Sequence, residues 1–176
     1  PMPRITLPDN SVREYAAPVT AAQVAADIGP GLAKAAIGAK INGILSDLSA
    51  VVDRDASLAL ITAMDRKTGE SSPDALHLIR HSTAHVMAQA VTQLYPGAKF
   101  SIGPAIVDGF YYDFELPGGR TFTEADLEAI DARMRELIKA DQPFVRSELP
   151  APDALRLFVD QPYKCEIIQR VSSGAA

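Results

Sequence analysis

The sequence predicts an α+β chain of two small domains, because two differently patterned regions flank a polar stretch. Short alternating segments with one brief helix occupy the first region, and a long helical periodicity opens the second. The stretch DRKTGESS between them holds charges, a glycine and two serines, which is typical of a linker. We therefore expect a first domain over residues 1–64, a linker over 65–72 and a second domain over 73–176.

Composition and charge limit the class of protein. Apolar residues make up 47% and charged residues 22%, which fits a soluble globular protein, and no apolar run is long enough to span a membrane. The single cysteine excludes an internal disulfide and, with no secretory leader pattern, predicts a cytoplasmic protein. A net charge of −5 gives no general attraction to nucleic acid, so RNA contact would depend on a local basic patch.

The elements of the first region follow from alternation and turn residues. Thr20 is placed to cap a helix over residues 21–28, and the glycines at 29–31 end it. Asn42-Gly43 is a favoured hairpin dipeptide. The predicted strands are RITL (4–7), VREY (12–15), AKING (39–43), ILSDL (44–48) and SLALIT (57–62). This order predicts one helix packed on a mixed sheet.

The first region resembles the TGS domain, a ubiquitin-like β-grasp module. The resemblance rests on ITLPDNSVREY, VTAAQVAADIGPGLAKAAIGAKING and LSDLSAVVDRDASLALIT, which together cover nearly all of residues 4–62. Such modules are accessory parts of threonyl-tRNA synthetases, stringent-response nucleotide synthetases and some GTPases. The resemblance therefore implies a β-grasp fold without implying an activity.

A long amphipathic helix opens the second region. Ser72 can cap it, Pro73 suits its first position, and Pro96-Gly97 ends it after Tyr95. Apolar residues recur through it at helical spacing and predict one buried stripe.

Three histidines recur every four residues in this helix, at His77, His81 and His85. Positions four apart differ by only about 40° around the helix axis, so His81 and His85 can face one cleft. Histidines at this spacing are also common without any chemistry, and His77 fits an exposed helix surface. A zinc-protease site is excluded because the middle residues lack the glutamate of H-E-x-x-H, and two histidines are too few for a zinc site.

An aromatic segment follows the helix. FSIGPAIVDGFYYDFEL (100–116) predicts a loop, a turn and a strand in which Phe110, Tyr112 and Phe114 share one face. The segment would be a core strand flanked by turns if it had no functional role.

The last predicted elements are a helix, a strand and a short helix. Thr123 caps the first helix, with Asp126 as its partner. PFVRSEL (143–149) predicts a strand and PDALRLFV (152–159) a short helix. The predicted buried stripe of the capped helix is Leu127, Ile130, Met134, Leu137 and Ile138.

Three motifs follow the TGS-like region in order: LIRHSTAHVMAQAV, IGPAIVDGFYYDF and PYKCEII. Their combination resembles the N-terminal half of bacterial-type threonyl-tRNA synthetases, and the resemblance covers nearly the whole chain. It implies that the second domain is an α/β editing domain of the HxxxH type, which removes serine from wrongly charged threonine tRNA. Threonine and serine differ by one methyl group, worth only about 1–3 kcal/mol in a binding pocket, so a separate hydrolytic site is physically reasonable.

Hydrolysis of an aminoacyl ester needs a positioned water, a group that takes or relays a proton, and a cation or donor for the developing oxyanion. The resemblance assigns His81, His85 and Lys164 to these roles, with His81 and Lys164 positioning the water and the hydroxyls of the terminal adenosine. It also places Tyr112 in or around the pocket, where we expect it to form part of the lining, and we expect Gly103 to allow close approach of the substrate. From the residues alone, an ordinary surface lysine is the better interpretation of Lys164.

The resemblance also implies parts that lie outside this sequence. In the family a later Cys-x-x-x-His segment completes the editing pocket, and Cys165 is not that cysteine because no histidine follows it. We therefore expect a truncated editing domain, with no cofactor or metal of its own, whose partner is the aminoacylated 3′ end of threonine tRNA. The whole ligase would use ATP, magnesium and a zinc ion in its catalytic core, and would form a homodimer through other domains.

Three alternatives stay open. A free-standing trans-editing hydrolase would share the HxxxH motif, but it should also carry the Cys-x-x-x-His part. A zinc-dependent editing domain, like that of alanyl-tRNA synthetases, would need further metal ligands. A non-catalytic TGS-type module that binds RNA or a regulator would not need the GFYYDF and Tyr-Lys motifs.

Overall fold

The computed structural model of the protein describes residues 2–174, so Pro1 and residues 175–176, at the outer ends of the two predicted domains, lie outside it. The chain forms two compact units, Pro1–Ile79 and Arg80–Ala176. Both mix short strands with helices, which confirms the predicted α+β class. Residues 65–72 form turns and no helix or strand, and the domain limits placed around them stay a prediction.

The first unit has a five-stranded sheet in the order β2-β1-β7-β4-β5. Strands β1 and β7 run parallel, and the other neighbours in this sheet are antiparallel. This is the β-grasp topology that the resemblance implied. The elements are β1 (Arg4–Thr6), β2 (Val12–Glu14), β3 (Val19–Thr20), α1 (Ala21–Ile28), α2 (Pro30–Ala35), β4 (Ala36–Ile41), β5 (Ile44–Ser46), β6 (Val51–Val52) and β7 (Ala56–Thr62).

Helix α1 begins where predicted, because Thr20 forms a capping box. The Gln23 N–H donates to Thr20 Oγ1 at 3.1 Å, and the Thr20 N–H donates to Gln23 Oε1 at 2.8 Å. The inner face of α1 places Val24 in the core beside Ile5 and Leu58, all three fully or almost fully buried.

The β4–β5 hairpin also follows the prediction. Its turn residues Asn42 and Gly43 have φ angles of 49° and 80°. A turn of this kind needs positive φ at both central positions, which explains the Asn-Gly dipeptide.

The second unit begins inside a long helix, α3 (Pro73–Leu94). Ser72 caps this helix as predicted, because the Ala75 N–H donates to Ser72 Oγ at 3.1 Å. Strands β8 and β11 pair antiparallel, and β9 pairs with β10. The remaining elements are β8 (Lys99–Phe100), β9 (Ala105–Ile106), β10 (Gly109–Phe110), β11 (Phe114–Glu115), α4 (Glu124–Lys139), α5 (Ala151–Leu157) and α6 (Pro162–Ser172). The buried core of this unit comprises Ala90, Val91, Ala98, Leu116, Ile130 and Leu137.

Three predictions for the second unit were wrong in part or in full. The single strand predicted after Gly109 is interrupted, and its two ends pair with different partners as β10 and β11. Residues 143–149 form no strand, because no strand among residues 2–174 pairs with them. Leu127 and Ile138 are 58% and 61% exposed instead of buried, so within the predicted stripe only Ile130 and Leu137 are buried, with Met134 packed against the core.

None of the helices within residues 2–174 is long and apolar enough to cross a membrane.

Replacing Thr20 by alanine should lower the free energy of unfolding by about 1 kcal/mol, because the capping box is lost. Thr20→Ser keeps the hydroxyl and is the matched control, for which we expect most of that stability to remain. Urea unfolding followed by circular dichroism measures both. Equal stability of the alanine and serine variants would contradict the capping role.

Asp126 should make the stability of the second unit depend on acid pH. Its carboxylate accepts the backbone N–H of Thr123, the Tyr95 hydroxyl and the Arg120 guanidinium, and these bonds, the Thr123 N–H first, hold the pKa of Asp126 well below its ordinary value. A lowered pKa in the folded state gives stability that is present above about pH 4 and lost as the pH falls below it.

The stability lost on acidification should therefore be smaller in Asp126→Asn than in the parent chain. Melting temperatures at pH 6 and pH 3 measure this, with Asp131→Asn, an exposed carboxylate of the same helix, as control. An unchanged pH dependence in Asp126→Asn would contradict the assignment.

Candidate active site

His81 and His85 contact each other directly on α3. Their Nε2 atoms lie 3.1 Å apart, and their ring centroids lie 4.6 Å apart with the ring planes at 86°. A hydrogen bond between two imidazole nitrogens needs one protonated and one unprotonated Nε2, so the two rings share one proton at this contact. The pair can therefore accept a proton on one ring and pass it to the other.

The third predicted catalytic residue, Lys164, lies on the first turn of α6. Its Nζ lies 5.2 Å from the centroid of the Phe100 ring, within cation–π distance. Burial lowers the pKa of Lys164 from its ordinary value. The ammonium is thus held over an aromatic ring on β8 and is partly removed from water.

His85 and Lys164 share one electrostatic environment. Burial lowers the pKa of His85 most, and the positive charges of His81 and Lys164 lower it further. A lowered pKa favours the neutral form of the His85 ring at neutral pH, in which it can accept a proton. The structure places His81 and His85 in direct contact and Lys164 over the Phe100 ring, from where its charge contributes to the lowered pKa of His85.

The two other predicted residues lie beside the same sheet. The Tyr112 ring stacks on Phe114 with centroids 4.9 Å apart and meets Phe100 edge to face at 6.3 Å. A Cβ on Gly103 would lie 2.1 Å from the Tyr112 ring, so the glycine is required for that ring to fit. Burial raises the pKa of Tyr112. The structure thus explains Gly103 by contact with Tyr112, independently of any substrate.

Sequence reasoning missed three residues that build this site. The Phe100 ring lies under the Lys164 ammonium. Arg80, next to His81, donates to the backbone carbonyls of Ile106 and Val107 in the β9–β10 hairpin. Gln161 precedes Pro162 at the start of α6. A proline at the first helical position predicts a helix start there, and that signal would have found Gln161.

A separate cleft of about 380 Å³ lies elsewhere in the second unit, where α4 ends. The five predicted site residues do not line it. Its wall is mainly apolar and consists of Val86, Gln89, Leu137, Ile138, Asp141, Gln142, Pro143, Phe144 and Val145. Across the described residues 2–174, no three histidine, cysteine or acidic side chains come together in a way that could hold a metal ion.

Comparisons with known proteins agree with both resemblances. The family model for the TGS domain matches residues 3–62. The chain is 52% identical to the threonine–tRNA ligases of Burkholderia lata and Burkholderia multivorans over 172 residues, which are 97% of this chain and 26% of each relative. With the ligase of Burkholderia mallei it is 52% identical over 175 residues, or 98% of this chain and 26% of the relative. The match is to the N-terminal part of these ligases, and the chain spans 26% of their length.

Gly103→Ala should force the Tyr112 ring out of its place and cost about 1–3 kcal/mol of unfolding free energy, because the added Cβ overlaps the ring. Gly109→Ala is the matched control, since a Cβ there would meet no heavy atom within 4 Å. Chemical denaturation and the NMR signals of the Tyr112 ring measure the effect. A stable Gly103→Ala variant with an unmoved ring would contradict the packing described.

His85 should titrate below the ordinary histidine pKa of about 6.5, and Lys164→Met should raise its pKa, because one of the charges that lower it is removed. NMR titration of the ring protons measures both values. Lys139→Met, which removes an exposed lysine at the end of α4, is the control. The same His85 pKa in the parent and in Lys164→Met would contradict the proximity of the two groups.

Proposed function

We propose that this chain is the N-terminal region of a threonine–tRNA ligase and that its second unit contributes to hydrolysis of serine from wrongly charged threonine tRNA. The observation that carries the proposal is the pair of hydrogen-bonded imidazoles with the Lys164 ammonium acting on it. The 52% identity over 97% of the chain to ligases of that name supports the choice of substrate.

The proposed reaction is attack of water on the carbonyl carbon of the ester between serine and the terminal ribose. The imidazole pair takes the proton that the water loses, and the carbon–oxygen bond to the ribose breaks. The ribose oxygen receives a proton and leaves as a hydroxyl, which yields free serine and uncharged tRNA. A base that is neutral at the working pH suits the first step, and the lowered pKa of His85 supplies one.

The roles of the three side chains differ. His81 and Lys164 are proposed to hold the water and the terminal ribose hydroxyls, and His85 to relay the proton through its Nε2 contact with His81. The ammonium also stabilises negative charge that develops on the carbonyl oxygen, and its partial burial strengthens that interaction. Tyr112 is proposed to line the pocket beside Gly103.

A separate hydrolytic site is useful because binding alone separates threonine from serine poorly. A pocket that accepts threonine also admits the smaller serine, and the missing methyl group costs only about 1–3 kcal/mol. Hydrolysis after transfer removes the errors that this difference lets through.

The wider proposals concern the whole ligase. It would join threonine to its tRNA with ATP and magnesium, act in the cytoplasm and form a homodimer. It would also hold a zinc ion in its catalytic core. The parts that perform these tasks would lie in the portion of the relatives that this chain does not match.

Deacylation of seryl-tRNA for threonine tests the proposal. This chain and a longer protein that continues into the Cys-x-x-x-His segment of the family are compared. The longer protein should hydrolyse the ester, and His81→Ala and Lys164→Ala in it should each slow the reaction by about 100-fold or more. His77→Ala, an exposed histidine one turn before His81, is the control and should keep the parent rate.

Failure of the longer protein to deacylate would contradict the editing function, and binding of tRNA without hydrolysis would favour the binding-module alternative. Equal losses in His77→Ala and His81→Ala would show that the histidines matter for the helix and not for the reaction.

A further inference from the structure

The start of helix α6 is bonded to strand β8 by side chains that the proposed reaction does not use. Gln161 makes two of these bonds with one amide group. Its Nε2 donates to the Ala98 carbonyl at 3.1 Å, and its Oε1 accepts the Phe100 N–H at 3.2 Å. Gln161 is half-buried, so water competes weakly for these groups.

The same residue begins α6. Its backbone carbonyl accepts the N–H groups of Lys164 at 3.0 Å and Cys165 at 3.1 Å. Gln161 therefore links the backbone of Phe100, whose ring lies under the ammonium, to the backbone of Lys164, which carries the ammonium. It is a short connection between two parts of the site that are distant in sequence.

Two neighbouring hydrogen bonds also join the region at the start of α6 to strands β8 and β11, in addition to those of Gln161. Lys99 Nζ donates to the Asp160 carbonyl at 2.6 Å, and the Tyr163 hydroxyl donates to Glu115. Each of these two bonds is exposed and includes one charged group, Lys99 or Glu115, for which water and salt compete. The Gln161 amide is uncharged and makes one bond as donor and one as acceptor. These two bonds fix the start of α6 against β8.

We propose that Gln161 is a positioning residue that holds the Lys164 ammonium over the Phe100 ring by fixing the first turn of α6 to strand β8. The importance of this position for hydrolysis rests on the proposed function; the placement of the ammonium does not. The lysine stem has a fixed maximum length, so its ammonium reaches the Phe100 ring only while the backbone of Lys164 is held near β8. Loss of the Gln161 bonds lets the first turn of α6 move and takes the ammonium away from both His85 and the Phe100 ring.

NMR of this chain tests the placement without requiring activity. The first variant is Gln161→Met, which keeps the length of the side chain and removes both hydrogen bonds, and Gln161→Ala is the second. The two readouts are the pKa of the His85 ring and the ring-current shift that Phe100 imposes on the side-chain protons of Lys164. Lys164→Met is the reference for complete loss of the ammonium, and Gln169→Ala, on the same helix, is the matched control.

We expect Gln161→Met to raise the His85 pKa in the same direction as Lys164→Met and to reduce the ring-current shift of Lys164. The double variant Gln161→Met/Lys164→Met should show no rise beyond that of Lys164→Met alone, because both changes act through one ammonium. Gln169→Ala should match the parent. An unchanged His85 pKa in folded Gln161→Met would overturn the proposal, and so would an effect that adds fully to that of Lys164→Met.

If Gln161→Met does not fold, the His85 pKa and the Lys164 ring-current shift are measured in Gln161→Ala instead. If both Gln161 variants unfold while Gln169→Ala folds, Gln161 is structural for the whole unit and the positioning role is overturned. An effect of Gln161→Met on His85 in a chain whose longer form does not deacylate seryl-tRNA would uphold the positioning role and contradict only the proposed function. In an active longer protein, Gln161→Met should lower kcat by about 10- to 100-fold and change KM little.

Discussion

The proposed chemistry of the second unit depends on one hydrogen bond between two imidazole rings on the same helix. The 3.1 Å contact between the Nε2 atoms of His81 and His85 requires one shared proton. It exists because α3 continues without interruption through both residues, and a four-residue separation returns side chains to the same side of a helix. Burial of His85 and the nearby Lys164 ammonium keep the second ring neutral, so the pair can accept a proton. Helix geometry therefore brings the two rings together, while burial and charge determine the protonation of His85.

Contacts between α6 and β8 hold the second proposed component of the site, the Lys164 ammonium. Lys164 comes from the last helix, and it reaches the site because α6 begins against β8 and the Phe100 ring supports the ammonium. Phe100 is in turn held by an aromatic cluster in which Tyr112 stacks on Phe114, and this stacking requires a glycine at position 103. A residue with no reactive group, Gly103, is therefore tied to the site through packing alone.

Local signals were sufficient for the elements that local chemistry determines. The caps at Thr20 and Thr123 and the Asn42-Gly43 turn are made by neighbouring residues, so their patterns in the sequence predicted them correctly. The proximity of His81 and His85 followed from their spacing for the same reason. The strand predicted at residues 143–149 did not form because a strand depends on a partner elsewhere in the chain. The contact of Lys164 with the Phe100 ring and the hydrogen bonds of Gln161 were not predicted, because both join residues far apart in the sequence; Phe100 and Gln161 are separated by 61 positions.

The most direct measurement is binding of a seryl-adenosine analogue, with an amide in place of the ester so that it cannot be hydrolysed, to the longer protein, observed by NMR. We expect saturable shifts of the His81 and His85 ring signals and of the Lys164 side-chain signals, with the His77 signal unchanged. Saturable binding that leaves all three predicted residues unaffected would contradict the assignment of the hydrolytic site.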